Sequence, residues 1–138
     1  LEIPYEAHIL SAPPDPAQAA DFAAKARANG FGVLICAAGM AAHLAGAFAA
    51  NTTLPLWHPD EGRRHGRSGR LLATVQMPSG FPVATVALNG AKNAAYLAVA
   101  ILAVADDELA AKLDSFRADT TAAIARKDAA IAAEAAAL

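Results

Sequence analysis

The sequence predicts an open α/β sandwich, a parallel sheet covered by helices on both faces, in one domain spanning residues 1–138. Three observations carry this. Gly32-Val33-Leu34-Ile35-Cys36 is an apolar run of strand length without polar alternation, the mark of a strand buried on both faces. Such runs alternate with segments of helical composition, which implies parallel strands joined by helical crossovers. Hydrophobic residues make up 56% of the chain, and much of that is alanine, which suits closely packed helices better than a bulky core.

In chain order, Tyr5–Leu10 reads as a short strand and Ser11–Pro16 as a proline-rich turn. Asp15 before Pro16 is a helix start, an N-cap acceptor followed by proline at the first helical position. The helix should run through Ala17–Ala28 and stop at Asn29-Gly30, a pair that tolerates left-handed backbone. Gly32–Cys36 is the buried strand, Ala37–Gly39 a turn and Met40–Ala50 a helix. Leu54–Trp57 is a candidate third strand, Phe81–Leu88 a further one, and Ala91–Val104 a helix. Asp106 should cap a last helix from Glu108 to about Ala136.

His58–Arg70 departs from its surroundings. It holds four arginines and no apolar residue except Pro59, and it reads as a solvated loop. Normal composition resumes at Leu71-Leu72-Ala73-Thr74.

Composition excludes several classes of function. A net charge of −2 offers no field to recruit nucleic acid or an anionic membrane surface. The longest apolar stretch, Ala94–Ala105, is too short to span a bilayer. The single cysteine cannot form an internal disulfide and suits a reducing compartment. No signal peptide precedes Leu1-Glu2-Ile3-Pro4, so the expectation is a soluble cytoplasmic protein.

Two strand–turn–helix junctions could bind an anion through free N–H groups and the helix dipole. The first is Gly39-Met40-Ala41-Ala42-His43-Leu44, with His43 one turn into its helix. The bland alternative makes His43 a partly buried histidine bonded to a backbone carbonyl. The second is Asn89-Gly90-Ala91-Lys92-Asn93, alternatively a tight turn beside a solvated lysine. Cys36 reads as a small core residue rather than a nucleophile. His58 and His65 match no zinc spacing, and no Gly-rich nucleotide loop is present.

The stretch Val75-Gln76-Met77-Pro78-Ser79-Gly80-Phe81-Pro82-Val83-Ala84-Thr85-Val86 through Asn89-Gly90-Ala91-Lys92-Asn93-Ala94-Ala95, together with Ala38–Leu44, resembles the AIR carboxylase family. That family includes 5-(carboxyamino)imidazole ribonucleotide mutase of purine biosynthesis, and the likeness covers nearly the whole chain. The resemblance implies a flavodoxin-like three-layer sandwich and homo-octamers with sites at subunit contacts. It implies migration of a carboxyl group from nitrogen to carbon of an aminoimidazole ribonucleotide, without metal or organic cofactor. A related class uses free carbon dioxide. Carried over, Ser11, Ala12, Ala38, Gly39, Met40, His43 and Leu44 would contact substrate. Nicotinate-nucleotide carboxylase, of related fold, is disfavoured by the closeness of Val75–Ala95 to the purine enzyme.

The chain departs from this family in three places. It starts just before what reads as the second strand, so the first strand and helix, with a Gly-Ser-x-Ser-Asp turn, are expected to be missing. The acid/base turn, Ser-Ala-His-Arg-Thr-Pro in the family, reads Ser11-Ala12-Pro13-Pro14-Asp15-Pro16, so Pro13 takes the histidine's position and Pro14 the arginine's. The polar run His58–Arg70 replaces an apolar, glycine-rich site loop. The last two share one explanation. With a choice of synonymous codons, His58–Arg70 read one base later gives Ile-Pro-Met-Lys-Gly-Gly-Ala-Met-Asp-Gly-Leu-Asp, the family loop. Pro13-Pro14-Asp15, as CCA CCG GAC, gives His-Arg-Thr in the same way. Compensated frameshifts are therefore expected, leaving the family chemistry impaired in this chain. The rival expectation is a noncatalytic, oligomer-forming paralogue.

Overall fold

A computed structural model describes residues 1–11, 15–38, 43–60, 72 and 74–137. Helix α1 (Pro16–Lys25) begins as its sequence requires: the Asp15 carboxylate accepts from the Gln18 N–H at 3.0 Å, and Pro16 occupies the first turn. Gly30, at φ +88°, ends the turn that follows. Strand β1 (Leu34–Ile35) leads to helix α2 (Leu44–Ala49), and strands β2 (Leu56–Asp60) and β3 (Ala84–Leu88) follow. Helices α3 (Ala91–Leu102) and α4 (Asp107–Ala136) complete the chain. Asp106 caps α4 by accepting from the Leu109 N–H at 2.9 Å.

The three strands are parallel, in the order β1-β2-β3, so β2 is central. Leu34, Cys36 and Leu56 join Ala19, Ala23, Ala45 and Phe48 in the main core, which places α1 and α2 on one face. Residues of opposite parity, Ile35 and Trp57, turn to the other face. There α3 packs across β2 and β3, and α4 packs on α3 through Val99, Leu109 and Leu113. This is the α/β layering of a flavodoxin-like sandwich.

Two expectations fail. Tyr5–Leu10 forms no strand: Tyr5 is 88% and Ile9 101% exposed. In the flavodoxin strand order the second strand pairs with the first alone, and no such neighbour lies beside this segment among the described residues. The polar run is not solvated throughout either. β2 continues through Pro59 to Asp60, and His58 is fully buried. Residues 61–70 of that run lie outside the described residues.

The reason His58 can be buried lies in its ladder. Leu34 N–H donates to the Pro55 carbonyl at 3.0 Å and Cys36 N–H to that of Trp57 at 2.9 Å. The parallel pattern then requires residue 59 to donate to the Cys36 carbonyl. Residue 59 is proline and has no N–H. The His58 ring takes its place, Nδ1–H donating to the Cys36 carbonyl at 2.7 Å, and the β2–β3 register shifts between His58 and Asp60. That bond fixes the tautomer and leaves Nε2 buried without a partner among the described residues, as are Trp57 Nε1 and Thr85 Oγ1.

Candidate functional site

In an open parallel sheet, ligands bind beyond the carboxyl ends of the strands. Besides the end of β2, three stretches of the described residues reach that end here. The first follows β1: Ala38 lies just past Cys36, and His43 and Leu44 open α2. The second follows β3, where Asn89 (φ +54°) and Gly90 turn the chain into α3. Gly90 is required there, since a Cβ would collide with the Val86 carbonyl oxygen. The third is the start of α1 at Asp15 and Pro16. The Arg27 guanidinium, just past the end of α1, donates to the Thr53 carbonyl and hydroxyl, both at 3.2 Å. Thr53 precedes β2, so α1 ends at the amino edge of the sheet and starts at the carboxyl edge.

The structure thus brings Ala38, His43 and Leu44 toward one end of the sheet, with Asn89 and Gly90; Ser11 is described, but residues 12–14 between it and α1 are not. Ala12, Pro13, Pro14, Gly39 and Met40 lie outside the described residues. His43 differs from both sequence expectations. It occupies the N-cap of α2 rather than the helix interior, and it is exposed rather than partly buried. Its side chain makes no capping bond, while its carbonyl accepts from the Ala47 N–H at 2.9 Å. An exposed imidazole at the mouth of the strand ends is free to meet a ligand.

Packing ties the two characteristic segments together. A Cβ at Gly46 would meet the Met77 methyl and sulfur at 3.6 Å, so the Met77 side chain lies against the α2 helix that His43 opens. Cys36 sits beneath, 5% exposed, with its thiol pushed up to about 12 by burial. That thiol is protonated at neutral pH and serves the core, as its sequence position suggested. Sequence reading missed the role of His58, a substitute for a missing backbone donor. The adjacent proline was its only signal.

A groove of about 730 Å³ lies at the opposite edge of the sheet. Arg27, Asn51, Thr53, Phe81 and Pro82 line it. It does not coincide with the strand ends that carry the candidate residues. No helix of the described residues is long and apolar enough to cross a membrane.

Known proteins resemble this chain along most of its length. The AIR carboxylase family profile matches residues 1–123. The N5-carboxyaminoimidazole ribonucleotide mutase of Brucella melitensis is 45% identical over 130 residues, 92% of this chain and 80% of that protein. The Bacillus subtilis protein of the same name is 44% identical over 87% of this chain and 76% of its own length. A chloroplastic phosphoribosylaminoimidazole carboxylase of Vigna aconitifolia is 40% identical over 91% of this chain, which covers 23% of that longer protein.

Proposed function

Because the chain belongs to the AIR carboxylase family, we propose that its intact form makes the C-carboxylated aminoimidazole ribonucleotide of purine biosynthesis from the N-carboxylated isomer. The observation that carries this is the 45% identity to a mutase so named, spread over 130 residues rather than confined to one motif. The proposed substrate contacts are Ser11, Ala12, Ala38, Gly39, Met40, His43 and Leu44. Of that set, Ala38, His43 and Leu44 gather toward the carboxyl ends of the strands, where the fold binds ligands.

The chain as written is a poor catalyst on this reading. Moving a carboxyl group onto a ring carbon requires a proton to leave that carbon, and proline at position 13 cannot carry one. Pro14 cannot make the charge-assisted bidentate contact that an arginine offers a phosphate. The segment from Trp57 onward has the marks of a displaced reading frame. Two buried ring nitrogens lack partners among the described residues, and a proline sits in the central strand, where a donor is needed. Sequencing the gene across Pro13–Asp15 and Trp57–Arg70 tests this: one- or two-base offsets bracketing both segments are expected. Codons that do not encode the family turn and loop out of frame would defeat it.

The activity test is an absorbance assay on the aminoimidazole ribonucleotide. The unmodified chain should give no measurable carboxyl migration. Restoring the turn by Pro13→His, Pro14→Arg and Asp15→Thr, with the glycine-rich loop rebuilt over residues 57–70, should raise it. Full turnover by the unmodified chain would refute the assignment of these elements. The likeness to a carboxylase from Vigna favours a second reading, direct use of carbon dioxide. Incorporation of labelled carbon dioxide into product distinguishes the two.

The proposal includes a homo-octamer working in the cytoplasm. Helix α4 supports assembly: it has 30 residues, about 45 Å at 1.5 Å per residue. Only Leu109 and Leu113 are buried, while Ile124 and Ile131 stand exposed further along. Light scattering on the restored chain tests the octamer.

A further inference from the structure

Two rows of side chains cross the sheet on the face that α1 and α2 cover. The register pairs Leu34 with Leu56 and Trp57 with Ala84, so Leu56 stands beside Val83. Leu34, Leu56 and Val83 form an apolar row within the main core. Two residues further along each strand, the same register and parity set Cys36, His58 and Thr85 in a second row. That row is a thiol, an imidazole and a hydroxyl, at the carboxyl end of β1.

In this second row, burial leaves a lone pair unused. His58 is fully buried and Cys36 is 5% exposed, yet His58 Nε2 has no partner among the described residues. Its Nδ1–H is committed to the Cys36 carbonyl, so Nε2 is the ring's bare acceptor. One ring nitrogen donating to a backbone carbonyl, with the other left as a lone-pair donor, is the arrangement of a metal-ligating histidine. The carbonyl that orients the ring belongs to Cys36 itself, which sets imidazole and thiol side by side on one face.

We propose that Cys36 Sγ and His58 Nε2 bind a soft monovalent cation of the copper(I) class. Thiolate and imidazole select for softness, whereas calcium and magnesium take oxygen ligands. Among the described residues, no third His, Cys, Asp or Glu joins the pair to hold a metal. Zinc takes three or four protein ligands, while a filled-shell monovalent ion is satisfied by two. On binding, the S–H bond of Cys36 breaks, an S–Cu bond forms and the proton leaves to water, with no change of oxidation state. The way in is short, because Ala37, the next residue after Cys36, is exposed. The site belongs to the chain as written and holds whether or not that chain is a catalyst.

The test is an anaerobic titration of the reduced 138-residue chain with copper(I), against bicinchoninate as competing chelator, followed by X-ray absorption on the complex. One ion per chain is expected, with one sulfur and one nitrogen around it. Removing a ligand should cost more than removing its support, so Cys36→Ala and His58→Leu should each weaken binding by about a hundredfold or more. His43→Asn, at the exposed imidazole, and Thr85→Val, at a hard oxygen, should leave the affinity unchanged. Melting of the metal-free variants establishes that they remain folded, and absorption on the unmodified chain reads the ligands without any variant. Failure to compete with the chelator, a shell of nitrogen alone, two sulfurs from two copies of the chain, or full affinity in either folded ligand variant would each overturn the proposal.

Discussion

The His58 ring stands in for an absent backbone donor, and that substitution can be measured. The ladder asks residue 59 to donate to the Cys36 carbonyl, Pro59 cannot, and His58 Nδ1–H does so at 2.7 Å. Consider His58→Leu and Pro59→Ala in a double-mutant cycle. With proline retained, His58→Leu strips the Cys36 carbonyl of its donor inside the core, a cost of about 1–3 kcal/mol. It also removes the unpartnered Nε2, a relief of similar size, so the single change should come out near neutral. In the Pro59→Ala background, a backbone N–H is available to the carbonyl, and His58→Leu brings only the relief. The Nε2 contribution enters both arms and cancels. The coupling energy is then the cost of orphaning the Cys36 carbonyl, about 1–3 kcal/mol, and the double variant should be the most stable of the four. Urea denaturation of all four proteins with a common m-value reads this directly. Additivity within about 0.5 kcal/mol would show that the ring and the missing N–H do not share one acceptor, and would refute the reasoning.

Other expectations can be checked with the same measurements. Asp106→Ala removes the acceptor for the Leu109 N–H at the start of α4 and should cost about 1 kcal/mol in urea unfolding, while Asp106→Asn should retain most of it. Gly90→Ala drives a Cβ onto the Val86 carbonyl and should destabilise by about 1–3 kcal/mol or more, detectable as a lowered melting temperature. Burial raises the Cys36 pKa to about 12, so its contribution to stability is complete below the unfolded thiol value near 9 and is lost as pH climbs toward 12. Thiol labelling at pH 8 should accordingly proceed only through opening of the fold, and labelling as fast as a free thiol would contradict the burial.

How far the sequence reveals this protein depends on whether an element's signal is local. The Asp15-Pro16 start of α1, the Asp106 cap and the Asn89-Gly90 turn are each specified within four residues, and all three stand where local chemistry puts them. Tyr5–Leu10 has the composition of a strand, yet a strand exists only with a neighbour, and pairing is a long-range property that its own residues do not encode. His58 fails for a related reason. A polar run reads as solvent-facing, but the run begins inside the central strand, where topology overrides composition.

The candidate site divides along the same line. Its scaffold, a turn beyond each strand with a glycine or an exposed histidine at the helix start, follows from strand–turn–helix punctuation. Its chemistry does not, because a proton carrier is defined by what it meets in space. His43 shows the difference: its spacing is compatible with an idle core histidine and with a site residue, and its exposure at the α2 N-cap argues only against the first. An exposed imidazole can still bind and polarise a ligand at the strand ends. It cannot by its presence replace an acid/base group held on the turn before α1, which enters from a different element. Carrying His43→Asn through the assay on both the unmodified and the restored chain settles its part. A raised KM with kcat preserved in the restored chain marks a binding contact. Equal loss of kcat and kcat/KM would instead make His43 a participant in the proton transfer itself, and the role reserved for the altered turn would have to be reassigned.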